Sequence, residues 1–85
     1  MNDIEWTPKA VRQFHKFPFE AQRSIGEGIS SLTDWPHVQN VKKLSARNDY
    51  RLRVGNFRVL FTIHPSGTVN IIRIEEVKRR NEHTY

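Results

Sequence analysis

The chain has 85 residues, 36% of them hydrophobic and 27% charged, with no cysteine and a formal net charge of +5. This length allows one domain over residues 1–85 with one modest core, and the composition argues against a disordered or membrane-spanning chain. Without cysteine, neither a disulfide framework nor a thiolate zinc site can hold the fold, so the core must do it alone.

The first strand is expected around Ile4 and Trp6. It closes at Thr7-Pro8, where threonine can cap a helix and proline suits the first helical position. The opening Met1-Asn2-Asp3-Ile4-Glu5 is acidic where a signal peptide is basic, and no long apolar run follows, so a cytoplasmic location is expected. Ala10, Val11, Phe14 and Phe17 then fall at helical spacing, up to Pro18. From Pro18 to about Asp34 a second apolar stripe runs through Ala21, Ile25, Ile29 and Leu32, and Gly26 and Gly28 within it leave room for close packing. Two helices with so short a connection make a helical hairpin. Asp34-Trp35-Pro36-His37 breaks the second, and a loop is expected to about Asp49.

The rest reads as strands. Tyr50-Arg51-Leu52-Arg53-Val54 alternates apolar and basic residues, the pattern of a strand with one face buried. After a Gly55-Asn56 turn, Phe57 to His64 continues with Val59, Phe61 and Ile63 on one face. Pro65-Ser66-Gly67 turns the chain again, and a last strand from about Thr68 to Val77 buries Ile72 and Ile74. The fold class is therefore α+β: an N-terminal strand, a helical hairpin and a three-stranded antiparallel meander, with the helices packed on one face of a four-stranded sheet.

Charge is distributed unevenly over this plan. Residues 1–34 carry four Lys/Arg against five Asp/Glu, whereas residues 35–85 carry ten against four, which points to a polyanion partner. Strand parity sharpens this. If Tyr50, Leu52, Val54, Val59, Phe61 and Ile63 face the helices, Arg51, Arg53 and Arg58 share the opposite face, and Arg73 joins them if register allows. Guanidinium forks match phosphate geometry. The alternative is a solvated face whose arginines pair with Glu75 and Glu76; anion binding is the stronger reading because Lys and Thr would keep the face soluble equally well.

Lys78-Arg79-Arg80-Asn81-Glu82-His83-Thr84-Tyr85 adds cations, an imidazole and a phenol after the last strand. Metal-free RNA cleavage needs a base for the 2′-OH, positive charge on the phosphorane, and an acid for the 5′-oxygen. Arginines serve the middle requirement, and His83, with His64 as second candidate, serves the others; His15 and His37 read as structural. The histidines lack ligand-like spacing, so no metal site and no cofactor is expected.

The order of elements, together with Val41-Lys42-Lys43-Leu44, Tyr50-Arg51-Leu52-Arg53-Val54, Phe57-Arg58-Val59-Leu60-Phe61 and Lys78-Arg79 followed six residues later by Tyr85, resembles the RelE/ParE superfamily of toxins from bacterial toxin–antitoxin pairs. RelE-type members are ribosome-dependent endoribonucleases that cut mRNA in the ribosomal A site and are blocked by a cognate antitoxin; ParE-type members act on DNA gyrase. The resemblance implies the nuclease activity, because Arg58, Arg79 and Tyr85 match basic and aromatic positions of that branch. Arg58 and Arg79 would hold the scissile phosphate, and Tyr85 would stack on or orient a nucleotide. His83 with Tyr85 resembles the His-Tyr ending of short relatives with one residue interposed.

Lys42, Lys43, Arg51, Arg53, Arg73, Lys78 and Arg80 complete the expected RNA-binding set, with mRNA, the ribosome and an antitoxin as implied partners. Arg51 and Arg53 stand where RelE itself has lysines, and arginine holds its proton more tightly. The glutamate that some relatives use as base is absent between Trp35 and Tyr50, which leaves the base unassigned. A gyrase-directed toxin and an inactive antitoxin-binding relative stay open as alternatives.

Overall fold

The computed structural model describes residues 2–44 and 48–80. In chain order these form strand β1 (Asn2–Trp6), helices α1 (Pro8–His15) and α2 (Phe19–Ser30), a 3-10 turn (Ser31–Asp34), and strands β2 (Val41–Lys43), β3 (Asp49–Val54), β4 (Phe57–Ser66) and β5 (Val69–Arg79). They build one sheet in the order β1-β5-β4-β3-β2, with β1 parallel to β5 and the other pairs antiparallel. Among the described residues, no helix is long and apolar enough to cross a membrane.

The α+β plan of strand, helical hairpin and meander is the one observed, with five strands in place of the expected four. Residues 41–43, expected in a loop, pair with Leu52, Arg51 and Tyr50. Three residues are too few to show a period; β2 forms because the outer edge of β3 offers backbone groups that need partners. The last two strands also run further than expected. β4 extends through Ser66 and the turn moves to Gly67-Thr68, with Gly67 at φ 63°, a conformation that glycine adopts without a Cβ clash.

The Thr7 hydroxyl accepts from the Ala10 N–H at 3.1 Å with Pro8 in the first turn, a cap worth about 1 kcal/mol. Beyond Trp6, where β1 ends, α1 serves the exposed edge of β5. The Thr7 N–H donates to the Ile74 carbonyl at 3.1 Å, and the Gln13 side-chain oxygen accepts from the Val77 N–H at 2.7 Å. A polar residue on a short helix thus substitutes for a missing strand.

Ala10, Ile25, Ile29 and Leu32 pack onto Leu52, Val59, Phe61, Ile63, Ile72, Ile74 and Val77, all buried. Each large aliphatic side chain removed from water in this way contributes roughly 1.5–3 kcal/mol before entropy is counted. At the end of the helical layer, Trp35 sits edge-on to Tyr50 at 4.7 Å and to Phe61 at 5.9 Å between ring centroids. Asn2, buried in β1, donates its amide to the Thr33 and Trp35 carbonyls at 3.0 and 2.8 Å. These contacts anchor the start of the segment that leads from the 3-10 turn to β2; the Trp35-Pro36 bond within it is cis.

Candidate nucleic-acid interface

The helices cover one face of the sheet, and cross-strand register orders the other into rows. The first row is Arg53, Arg58 and Lys78; the second is Lys42, Arg51, Leu60 and Glu76; the third is Asp49, Thr62, Arg73 and Glu5. The parity read from the sequence therefore puts Arg51, Arg53 and Arg58 on one face, as observed. β2 adds Lys42 to them, while Lys43 pairs with Tyr50 on the helix side and lies 6.0 Å from its ring centroid.

A bulge decides the rest. Leu60 pairs with Glu76 but Phe61 pairs with Ile74, leaving Glu75 as an extra residue in β5. Plain alternation from Ile74 would send positions 76 and 78 to the helix side. The inserted residue reverses this, burying Val77 and setting Glu76 and Lys78 on the open face. Arg79 consequently faces the helix side, opposite Phe57, with its guanidinium carbon 5.2 Å from that ring's centroid in a cation–π contact. The cross-strand neighbour of Arg58 is therefore Lys78.

The cations differ in their partners. Arg73 meets Glu5 at 3.0 Å, and Lys78 meets Glu76 at 3.3 Å. Glu76 also meets Lys9 at 3.3 Å. Burial pushes the Glu76 carboxyl up, but hydrogen bonds and charge from Lys9 and Lys78 outweigh it and hold this carboxyl below its ordinary range. Arg51 and Arg53, by contrast, make no side-chain hydrogen bond or ion pair among the described residues. With Lys42, Asn40 and Val41 they line a depression of about 230 Å³ that holds three cations and no acid. The backbone N–H of Arg80 bonds the Asn56 carbonyl, keeping Arg80 beside the β3–β4 turn.

His64 lies on the open face but six residues along β4 from Arg58, about 20 Å at the usual strand rise. Its Nε2 is 2.8 Å from the Thr62 hydroxyl, which donates to Glu75 at 2.7 Å. That hydroxyl has one proton, already given to the carboxylate, so the imidazole is the donor and carries its proton on Nε2. His64 therefore belongs to a separate polar cluster, beside the row that holds Arg73 and away from Arg53 and Arg58. His83 and Tyr85 lie outside the described residues.

The chain is thus a small α+β domain with one helix-covered sheet face and one open face rich in cations. Over residues 4–80 the sequence matches the family described as the ParE toxin of type II toxin–antitoxin systems, parDE. The chain therefore belongs to the ParE toxin family, within the RelE/ParE superfamily that its motifs resemble, and is a toxin of a toxin–antitoxin system. No curated protein sequence matches it.

Solved structures share the fold at low identity. The archaeal RelE–RelB complex from Pyrococcus horikoshii OT3 is similar with a TM-score of 0.78 at 23% identity, over 95% of this chain and 97% of that one. The RelBE2 toxin–antitoxin complex of Mycobacterium tuberculosis gives 0.74 at 22%, over 92% and 96%. The isolated RelE toxin of E. coli gives 0.76 at 12%, over 96% and 89%.

Proposed function

We propose that this toxin is a ribosome-dependent endoribonuclease that cuts mRNA in the A site by attack of a 2′-OH on the neighbouring phosphate, and that a cognate antitoxin silences it by covering the open face. The observation that carries this reading is the depression lined by Lys42, Arg51 and Arg53 with no acid among its walls, next to Arg58 and Lys78. Like charges gathered on a sheet repel, and a phosphodiester laid across them relieves that repulsion while receiving bidentate hydrogen bonds. The solved complexes of similar fold that contain a RelB antitoxin support the antitoxin part.

In the proposed mechanism Lys42, Arg51 and Arg53 hold the RNA backbone. Arg58 stabilises the charge of the phosphorane, with Lys78 as its neighbour. Arg79 and Arg80 extend the cationic surface at the same end of the sheet. His83 transfers protons and Tyr85 stacks on a nucleotide, as the family resemblance implies.

The test is inducible expression with mapping of mRNA 5′ ends, with and without translation. In-frame, translation-dependent cuts leaving a 5′-OH are expected, and Arg58→Ala should lower cutting on the order of 100-fold, the usual cost of removing one charge-stabilising donor. Wild-type cutting by that variant would refute the assignment of Arg58. A second reading, poisoning of DNA gyrase, is favoured by the ParE description of the matching family. Growth arrest with DNA damage and intact mRNA would select it.

A further inference from the structure

RNA cleavage by 2′-OH attack needs a base, and the open face holds a carboxylate next to the cations proposed to clamp the phosphate. The two rows nearest the β3–β4 turn are Arg53, Arg58 and Lys78, then Lys42, Arg51, Leu60 and Glu76. Among the described residues, Glu76 is the one carboxylate in them. We propose that Glu76 is the general base that takes the 2′-OH proton. This deepens the nuclease reading given above and rests on it.

Lys78 joins this carboxylate to the phosphate site. It stands directly opposite Arg58, and its ammonium meets Glu76 Oε1 at 3.3 Å. Glu76 is the diagonal cross-strand neighbour of Arg58, a relation that sets backbones roughly 7–8 Å apart and leaves long side chains within reach of each other. A phosphate held by the Arg58 guanidinium thus has room for its adjoining 2′-OH beside the carboxylate. Lys9, reaching over from α1, also meets Oε1 at 3.3 Å. Among the described residues Oε2 makes no hydrogen bond or ion pair, and it is the atom assigned to accept the proton. Other acids of this face are set apart. Glu5 pairs with Arg73 and Glu75 accepts from Thr62, both in the third row, about 13 Å along β4 from Arg58 at the usual strand rise.

The bulge is what turns Glu76 toward the RNA side, since plain alternation would send it under the helices. Bulges beside active sites commonly re-aim a side chain in this way. The extra residue is clasped twice: the Glu75 carboxylate accepts from the Thr62 hydroxyl at 2.7 Å, and the Glu75 carbonyl accepts from the Thr7 hydroxyl at 3.2 Å. Burial pushes the Glu76 carboxyl up, but Lys9 and Lys78 outweigh it and keep the group ionised at neutral pH, ready to accept a proton. A phosphodiester bound alongside adds negative charge and raises its proton affinity toward the range in which a base is effective. In the reaction Oε2 takes the 2′-OH proton as the 2′-oxygen bonds to phosphorus. The bond from phosphorus to the 5′-oxygen breaks, and that oxygen leaves with a proton from the His83 imidazolium, giving a 2′,3′-cyclic phosphate and a 5′-OH.

The purified full chain, in excess, is mixed with ribosomes programmed with a short mRNA, and cutting is followed in a single turnover. A second mRNA carries 2′-O-methyl groups in the A-site codon; it cannot undergo the attack and reports binding alone. Glu76→Gln keeps the shape of the side chain and removes its charge. This variant is expected to bind the methylated complex at least as tightly as the parent, because a negative charge beside the phosphate is gone and two lysines are released. Its cutting rate should fall on the order of 100-fold or more, the usual contribution of a general base. Glu76→Asp, with a carboxylate one methylene short, should cut faster than Glu76→Gln. If Glu76 serves only to hold Lys9 and Lys78, the Gln variant will cut as fast as the parent, and that result overturns the proposal. Binding that falls in step with cutting also overturns it, since the residue would then be structural. If the parent itself leaves the mRNA whole, the nuclease reading fails and takes this assignment with it.

Discussion

Arg53 and Arg58 stand directly opposite each other across β3 and β4, two guanidiniums in one cross-strand pair on the open face. Like charges in that relation destabilise a sheet by roughly 0.2–1 kcal/mol, and salt screens the effect where the side chains are exposed, as Arg53 is. Arg53→Gln should therefore raise stability by a few tenths of a kcal/mol in low salt. In urea unfolding followed at two ionic strengths, the gain should shrink at the higher one. A variant less stable than the parent in low salt would show that this pair is not repulsive.

Two glycines two residues apart in α2 should respond in opposite directions. Around Gly26 nothing lies within 4 Å of an added Cβ, so Gly26→Ala should stabilise the helix by about 0.5–1 kcal/mol through reduced freedom of the unfolded chain. At Gly28 the added Cβ meets Val54 Cγ2 at 2.6 Å, and the stiff β-branched side chain cannot swing aside cheaply. Overpacking of this kind costs about 1–3 kcal/mol, more than the gain in helix propensity. Thermal unfolding of the two alanine variants reads the contrast, and equal shifts would contradict it.

Glu76 carries a pH dependence whose sign follows from its partners. Lys9 and Lys78 hold its folded-state carboxyl below the ordinary value of 4.5, so its contribution is present above about that pH and is lost as pH falls through the folded value. Glu76→Gln should then be less stable than the parent at neutral pH, by up to about 1 kcal/mol for each ion pair lost. The two unfolding curves should converge as the pH drops below 4.5. A gap that persists unchanged into acid would assign the effect to packing.

Alternation along β3 and β4 was legible in the sequence because a strand buried on one side must repeat every second residue. Leu52, Val59, Phe61 and Ile63 are buried as that rule requires, and Arg51, Arg53 and Arg58 share the open face. The apolar stripe of α2 was legible for the same reason, with Ile25, Ile29 and Leu32 in the core. The motifs carried the family.

What local pattern could not reveal was every choice made by a pairing partner. β2 exists because β3 has an edge to fill, and it brings Lys42 beside Arg51 while sending Lys43 to the other face. Glu75 is one residue more than β4 can match, and that mismatch puts Lys78 rather than Arg79 next to Arg58. Composition and periodicity thus determined a helix-backed sheet with a basic face. The identity of the cations that meet on it was decided by register, which depends on contacts between strands distant in the chain.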